Sequence, residues 1–144
     1  MIAVDTNVLV CAHREDVPQH QAARSALAEL ATQGGPWAVP WPCVHEFLAV
    51  VTNRRVFEPP SSLRDAVGAI SDLLALPAMR PLAETVDHAD VLFRLLTAGT
   101  VTGPKVHDAR IAAICLAHGV WTLWTADRDF SYFPELRTHN PLLG

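Results

Sequence analysis

Short apolar runs alternate with longer stretches of helical periodicity along this chain. Met1-Ile2-Ala3-Val4 is apolar and stops at Asp5-Thr6-Asn7. Its length and β-branching predict a buried strand. Asp, Thr and Asn are good helix N-caps, so Val8 to Ala12 reads as a helical turn or two. A longer helix is expected from about Pro18 to Gln33. Ala23, Ala26, Leu27 and Leu30 recur there at helical spacing, and Gly34-Gly35 ends it. Trp37-Ala38-Val39 is a second strand candidate. Trp41-Pro42 then opens a helix, with proline tolerated in the first turn, and Val44, Phe47, Leu48 and Val51 form its apolar stripe.

Arg54 to Pro60 is a breaker-rich loop with adjacent basic residues. Ser61 or Ser62 can cap a helix through about Leu76, and Met79 to Leu82 suits a short strand. Thr85 through Ala98 reads as a helix capped by Thr85. Gly99 to Lys105 is a loop. His107 to His118 is a helix almost without polar positions past Arg110, which predicts burial on all sides. Gly119 ends it, Val120 to Trp124 is a strand, Thr125 to Phe130 is a polar turn, and one more short strand is expected near Leu136 to His139. Strands alternating with helices imply a parallel sheet covered on both faces. Ligands bind such sheets beyond the carboxyl ends of the strands. That rule gives the polar turns after Val4 and after Trp124 positional meaning.

A chain of 144 residues suits a single domain over 1–144. Half of its residues are hydrophobic and only 18% are charged, which supports a packed core and argues against disorder. The net charge of −4 makes global attraction to nucleic acid weak, so any RNA contact must come from a local basic rim. Cys11, Cys43 and Cys115 are far apart with no C-x-x-C pair, which predicts buried thiols in a reducing compartment. No basic n-region or long apolar run marks a secretory signal or a membrane span, so a cytoplasmic protein without membrane association is expected.

The chemistry gathers at acidic residues. Asp5 and the pair Asp127 and Asp129 follow strands, Asp108 opens the buried helix, and Glu46 lies on the Pro42 helix. Each has an ordinary alternative. Asp5 can serve as a cap, Asp108 as a partner for the helix dipole, and Asp127 and Asp129 as turn residues. Glu46 falls away from the apolar stripe and reads as solvated. Together they mean more. Two carboxylates at ~4 Å repel by about 4 kcal/mol at an effective dielectric near 20. Protonation or cations must then hold the group together. Oxygen-only ligands suit Mg²⁺ or Mn²⁺. A cation held there lowers the pKa of a bound water and steadies charge on a scissile phosphate. Phosphodiester hydrolysis is the matching reaction.

Four motifs in order carry a resemblance. Ile2-Ala-Val-Asp5-Thr-Asn7, Val44-His-Glu46-Phe, Val106-His-Asp108-Ala-Arg-Ile-Ala-Ala and Thr125-Ala-Asp127-Arg-Asp129-Phe resemble the acidic motifs of PIN domains. The compact length is similar to the VapC toxins of type II toxin–antitoxin modules. The resemblance implies a three-layer α/β/α sandwich with a small, mainly parallel central sheet. It implies a Mg²⁺- or Mn²⁺-dependent endoribonuclease with Asp5, Glu46, Asp108 and Asp127 facing one pocket. The metal would be held chiefly by Asp5 and Asp108. Thr6, Asn7 and Thr125 would orient the carboxylates, with Asp129 in reserve for Asp127. It also promotes Glu46 to a site residue, against its helical angle. A VapB-like antitoxin and a second copy of the chain are the implied protein partners.

Arg14, Arg54, Arg55, Lys105, Arg110 and Arg128 are candidates for phosphate contact. Trp37, Trp41, Trp121 and Trp124 could stack on bases, although core packing suits most of them better. His45 and His107 stand beside site carboxylates without the spacing of a zinc motif. The rival reading is a PIN-like module that binds RNA or protein without cutting. The presence of all four acidic positions counts against it. A haloacid dehalogenase-like phosphatase needs an acid two residues after the first Asp, where this chain has Asn7.

Overall fold

The computed structural model describes residues 1–143; the expected domain's last residue, 144, lies outside them. Five strands form one parallel sheet: β1 (Ile2–Val4), β2 (Trp37–Pro40), β3 (Met79–Leu82), β4 (Thr122–Trp124) and β5 (Arg137–His139), in the order β3-β2-β1-β4-β5. Six helices join them: α1 (Thr6–His13), α2 (His20–Thr32), α3 (Trp41–Val51), α4 (Leu63–Leu74), α5 (His88–Gly99) and α6 (Val106–Ala117). Successive connections run outward from β1 through β2 to β3, then return past β1 to β4. Right-handed crossovers put α1 to α4 on one face and α5 with α6 on the other, and the helices pack in those two groups. The result is the expected α/β/α sandwich.

Trp37, Phe47, Ile114, Leu123, Phe130 and Phe133 are fully buried between the layers. Helix α6 buries Ala109 and every residue from Ile111 to Cys115, as its apolar composition requires. It ends in a Schellman arrangement: the Val120 N–H donates to Cys115 O (2.9 Å) and the Gly119 N–H to Leu116 O (3.1 Å). Gly119 supplies the left-handed φ of 73° that this turn needs. Residues 120 and 121 are spent on this exit, so β4 starts at Thr122 rather than at Val120.

Thr85 does not cap α5. Its hydroxyl bonds the Asp87 carboxylate, its carbonyl accepts the His88 N–H (3.1 Å), and the helix begins after this turn with Asp87 as N-cap. Helix α2 likewise starts at His20, two residues beyond Pro18. The expected loop before α6 closes with a 3-10 turn, Gly103–Lys105, and the polar turn after β4 continues as a second one, Arg128–Tyr132. Cys43 and Cys115 are buried, but Cys11 is only half-buried. Among the described residues, no helix is long and apolar enough to cross a membrane.

Strand order reverses between β1 and β4, neighbours in the sheet with their connections leaving in opposite directions. An α/β sheet opens a crevice at such a switch point.

Candidate active site

Both strands at the switch point end in polar residues. The Asp5 N–H donates to Trp124 O (3.0 Å), which ties the two strand ends together. Asp5 is the N-cap of α1 and is also buried, with only 4% of its surface exposed. Its carboxylate is enclosed by donors. Oδ1 accepts the Thr6 N–H (2.8 Å) and the Cys43 thiol (3.4 Å). Oδ2 accepts the Thr125 hydroxyl (2.7 Å) and the Asn7 amide (3.1 Å). Burial raises this carboxyl above its ordinary value. The bonds from Thr125, Thr6 and Cys43 pull it back, and the charge of Asp127 adds to the rise.

Thr125 joins the two strand-end turns. Besides donating to Asp5, its hydroxyl oxygen accepts from Asn7 (3.1 Å) and from the Asp127 N–H (2.9 Å). Asn7 Oδ1 accepts the Ala126 N–H (3.0 Å). Asn7 and Thr125 thus donate to the Asp5 carboxylate through their side chains and Thr6 through its backbone N–H. Thr6 also donates its hydroxyl to Glu46 Oε2 (3.1 Å). Glu46 is exposed, as its helical angle predicted, and still lines the cavity that holds Asp5, Asp108 and Asp127.

Asp108 sits in the first turn of α6, where amide dipoles favour a negative charge. Its carboxylate and those of Asp127 and Asp129 bring one oxygen each within 4.8 Å of one another. None of the hydrogen bonds among the described residues reaches the Asp108 carboxylate. Its carboxyl is pushed up to about 6, by burial first and then by the negative charges of Asp127, Asp5, Asp129 and Glu46. Asp127 accepts the Asp129 N–H (2.8 Å), so it is also the turn residue it could have been on sequence alone. Asp127 lines the Asp5 cavity, whereas Asp129 lines a neighbouring one. The acidic set thus converges on one place. Within it, Asp108, Asp127 and Asp129 bring oxygens close enough to share an ion, and Asp5 has four protein donors on its two oxygens.

The basic candidates divide. Lys105 and Arg110 line the neighbouring cavity; Lys105 lies 4.0 Å from Asp129 and 3.8 Å from the centroid of Tyr132, and Arg110 pairs with Glu84 (2.7 Å). Arg54, Arg55 and Arg128 are exposed. Arg14 is bound into the fold by Asp16 (2.6 Å) and Pro59 O (3.0 Å), with its guanidinium 4.3 Å from the centroid of Phe57. Trp37 and Trp124 are core residues, and Trp41 is half-buried. Trp121 is 64% exposed, but it precedes β4 and so stands at the opposite end of the sheet from the carboxylates.

Cys43 was missed as a site residue. Its apolar neighbours masked it, yet it sits three residues before Glu46 on α3 and so shares a helix face with it. Burial and the nearby Asp5 charge raise its thiol well above the usual range, which keeps it a donor. The donor set of the cluster is all oxygen, matching a hard divalent cation.

Comparison with known proteins places the chain in a family. Residues 2–136 match the PIN domain family. A VapC ribonuclease of Mycobacterium bovis, Mb2897, is 40% identical over 100% of this chain and 97% of its own length. Ribonuclease VapC25 of Mycobacterium tuberculosis is 33% identical over 98% of this chain and 99% of its own. Among solved structures, M. tuberculosis VapC20, a sarcin-ricin loop cleaving toxin, superposes with a TM-score of 0.69 at 19% identity, covering 91% of this chain and 93% of that one. VapBC2 from Rickettsia felis, bound to a promoter DNA fragment, gives 0.68 at 19% identity, covering 97% and 98%. The structural likeness establishes the fold, and the family match with relatives similar end to end establishes that this chain belongs to the PIN-domain VapC ribonucleases.

Proposed function

We propose that this ribonuclease is the toxin of a type II toxin–antitoxin pair, cutting RNA internally with Mg²⁺ or Mn²⁺. The observation that carries the reading is the convergence of Asp5, Glu46, Asp108 and Asp127 on one cavity. Asp108, Asp127 and Asp129 are the residues assigned to hold the cation. Asp5 contributes its charge, and direct ligation by it displaces one of its four donors. When bound, the cation supplies Lewis acidity toward the scissile phosphate and toward an attacking water.

The chain's own residues do the rest. Lys105 and Arg110 hold the RNA backbone beside the acids. Glu46, steadied at Oε2 by Thr6, accepts the proton as water oxygen bonds to phosphorus. The bond to the 3′-oxygen breaks in line, leaving a 5′-phosphate and a 3′-hydroxyl once that oxygen is protonated. The neighbouring acids exclude a second anion from the pocket until a cation enters.

Two partners belong to the proposal. A VapB-like antitoxin covers the acidic cavity, a reading supported by toxin–antitoxin complexes among the solved structures of this fold. A second copy of this chain forms a dimer; a solution mass of one chain, 15.7 kDa, by light scattering would remove that part. The chain acts as one domain, expected to melt in a single transition.

The test is RNA cleavage by purified wild type and Asp108→Asn with Mg²⁺, Mn²⁺ or chelator. We expect cleavage only with the cations. The variant should lose at least ~100-fold, beyond the 10–100-fold typical of groups that merely support a metal ligand. Wild type inert with both cations, or a variant as fast as wild type, overturns the reading.

A further inference from the structure

The carboxylates stand on a wall between two unlike cavities. Glu46 and Asp108 line both. The cavity of about 590 Å³ carries His45, Lys105, His107 and Arg110. The cavity of about 350 Å³ has Asp5 and Asp127 at its acidic end, and Val10, Val17, Val50, Val56 and Phe57 on its other walls. One side of the acids carries nitrogen cations and ring nitrogens, and the other, away from its acids, has an apolar wall and no cation.

An RNA chain is also two-sided at the bond being cut. A scissile phosphate held at the acids has a nucleoside attached on each side, so each cavity receives what is attached on its side. The nitrogen-lined side suits the backbone with its phosphates. The apolar side repels a phosphate, because four carboxylates, Asp5, Glu46, Asp108 and Asp127, line it and no cation does. What it suits is the flat, uncharged face of a base. Proteins that read single-stranded RNA splay bases out of the stack onto such surfaces.

Phe57 is built for that use. It belongs to a loop, yet its ring is pinned by the Arg14 guanidinium, 4.3 Å from the ring centroid. Arg14 is in turn held by Asp16 (2.6 Å), Pro59 O (3.0 Å) and Ser61 Oγ (3.3 Å). A residue expected to touch phosphate instead stiffens an aromatic wall. Val56, beside it, leaves 53% of its surface exposed at the rim.

We propose that the 350 Å³ cavity is a nucleobase subsite: one of the two bases bordering the scissile phosphate leaves the stack and packs against Phe57 and the valine wall. The proposal rests on the ribonuclease reading and adds the place where a base bordering the cut is held.

The experiment uses full-length wild-type protein with Mn²⁺. A cut is first mapped in a pool of single-stranded oligoribonucleotides. The cut sequence is then resynthesised with an abasic residue at each position around the bond. Removing the base at one bordering position should lower kcat/KM about 5- to 150-fold, the equivalent of about 1–3 kcal/mol of base–aromatic stacking. The other bordering position should be far less sensitive. With Phe57→Ala, intact and abasic RNA should be cut at similar rates, as a double-mutant cycle requires of a direct contact. The abasic series needs only wild type, so it stands even if the variant fails to fold. Equal rates for intact RNA and both abasic RNAs overturn the subsite while leaving the ribonuclease reading in place. No cleavage of intact RNA by wild type overturns both.

Discussion

Asp5 and the Asp108–Asp127–Asp129 group lie in the same crevice and solve opposite problems. Asp5 is buried, and four protein donors surround its charge. The three aspartates on the far side are half-buried or exposed and crowd one another without such a cage. One acid is caged by donors before any ligand arrives, which offset part of the cost of burying it. The other three are held together by the fold against their own repulsion. A site needs both kinds: the first fixes a geometry, and the second stores an unfavourable field that a cation or a proton relieves.

The strongest way to break this comparison is to neutralise each side in turn and melt the protein in chelator. Asp5→Asn strands donors that a carboxylate satisfied. A buried unsatisfied group costs about 1–3 kcal/mol, more when a charged partner is lost. We expect a loss near 3 kcal/mol, or a fall in Tm of roughly 10 °C. Asp108→Asn should do the reverse. The carboxyl's ordinary value is 3.8 and the folded value about 6. Between those pH values the native state binds more protons, so stability falls as pH rises from about 4 to about 6 and stays low above it. At pH 7 the full penalty is present, and the amide removes it. Half-burial lets solvent screen part of the effect, so we expect a rise in Tm of only roughly 2–4 °C. Equal shifts of the same sign in calorimetry would erase the distinction between the two sides.

Thr125 is where the two sides meet, since one hydroxyl bonds Asp5 and the Asp127 N–H. Thr125→Val keeps the shape and removes both bonds, together with the one from Asn7. Cleavage should fall about 10- to 100-fold, the range for groups that orient a metal's ligands. Thr125→Ser should recover most of it. If Thr125→Ser is as slow as Thr125→Val, the hydroxyl is not the link between the sides.

The two sides were unequally legible in the sequence. Asp5 and Thr125 follow apolar runs, and a run of that kind announces a strand whose end is the crevice. Asp108 opens a helix too apolar to be anywhere but the core. Glu46 could not be placed by periodicity, because its angle is that of a solvated residue. It is solvated, and it reaches the site because Thr6, forty residues earlier, meets it there. Cys43 and Phe57 were invisible for a related reason: an apolar side chain gives the same pattern whether it fills a core or lines a cavity. Arg14 went the other way, since a local positive charge says nothing about whether Asp16 and a phenyl ring already hold it. The failed cap at Thr85 has the same origin, a hydroxyl with a nearer acceptor in Asp87.

The mildest effect expected is one of pH on cation binding, and it reports on the open side. The Asp5 carboxyl is raised as well, by burial and the charge of Asp127 against the bonds from Thr125, Thr6 and Cys43. Asp108 takes up a proton as pH falls through about 6, where burial and four neighbouring acids have put its carboxyl. A proton there competes with the cation. Mn²⁺ affinity, measured by calorimetric titration, should be nearly flat above pH 7. It should weaken about tenfold per pH unit below 6, the slope of one proton released per ion bound. Asp108→Asn should bind weakly throughout and lose that slope. If the variant keeps the break near 6, the titrating group belongs to the other acids, and the open side of the crevice must be assigned afresh to Asp127 and Asp129.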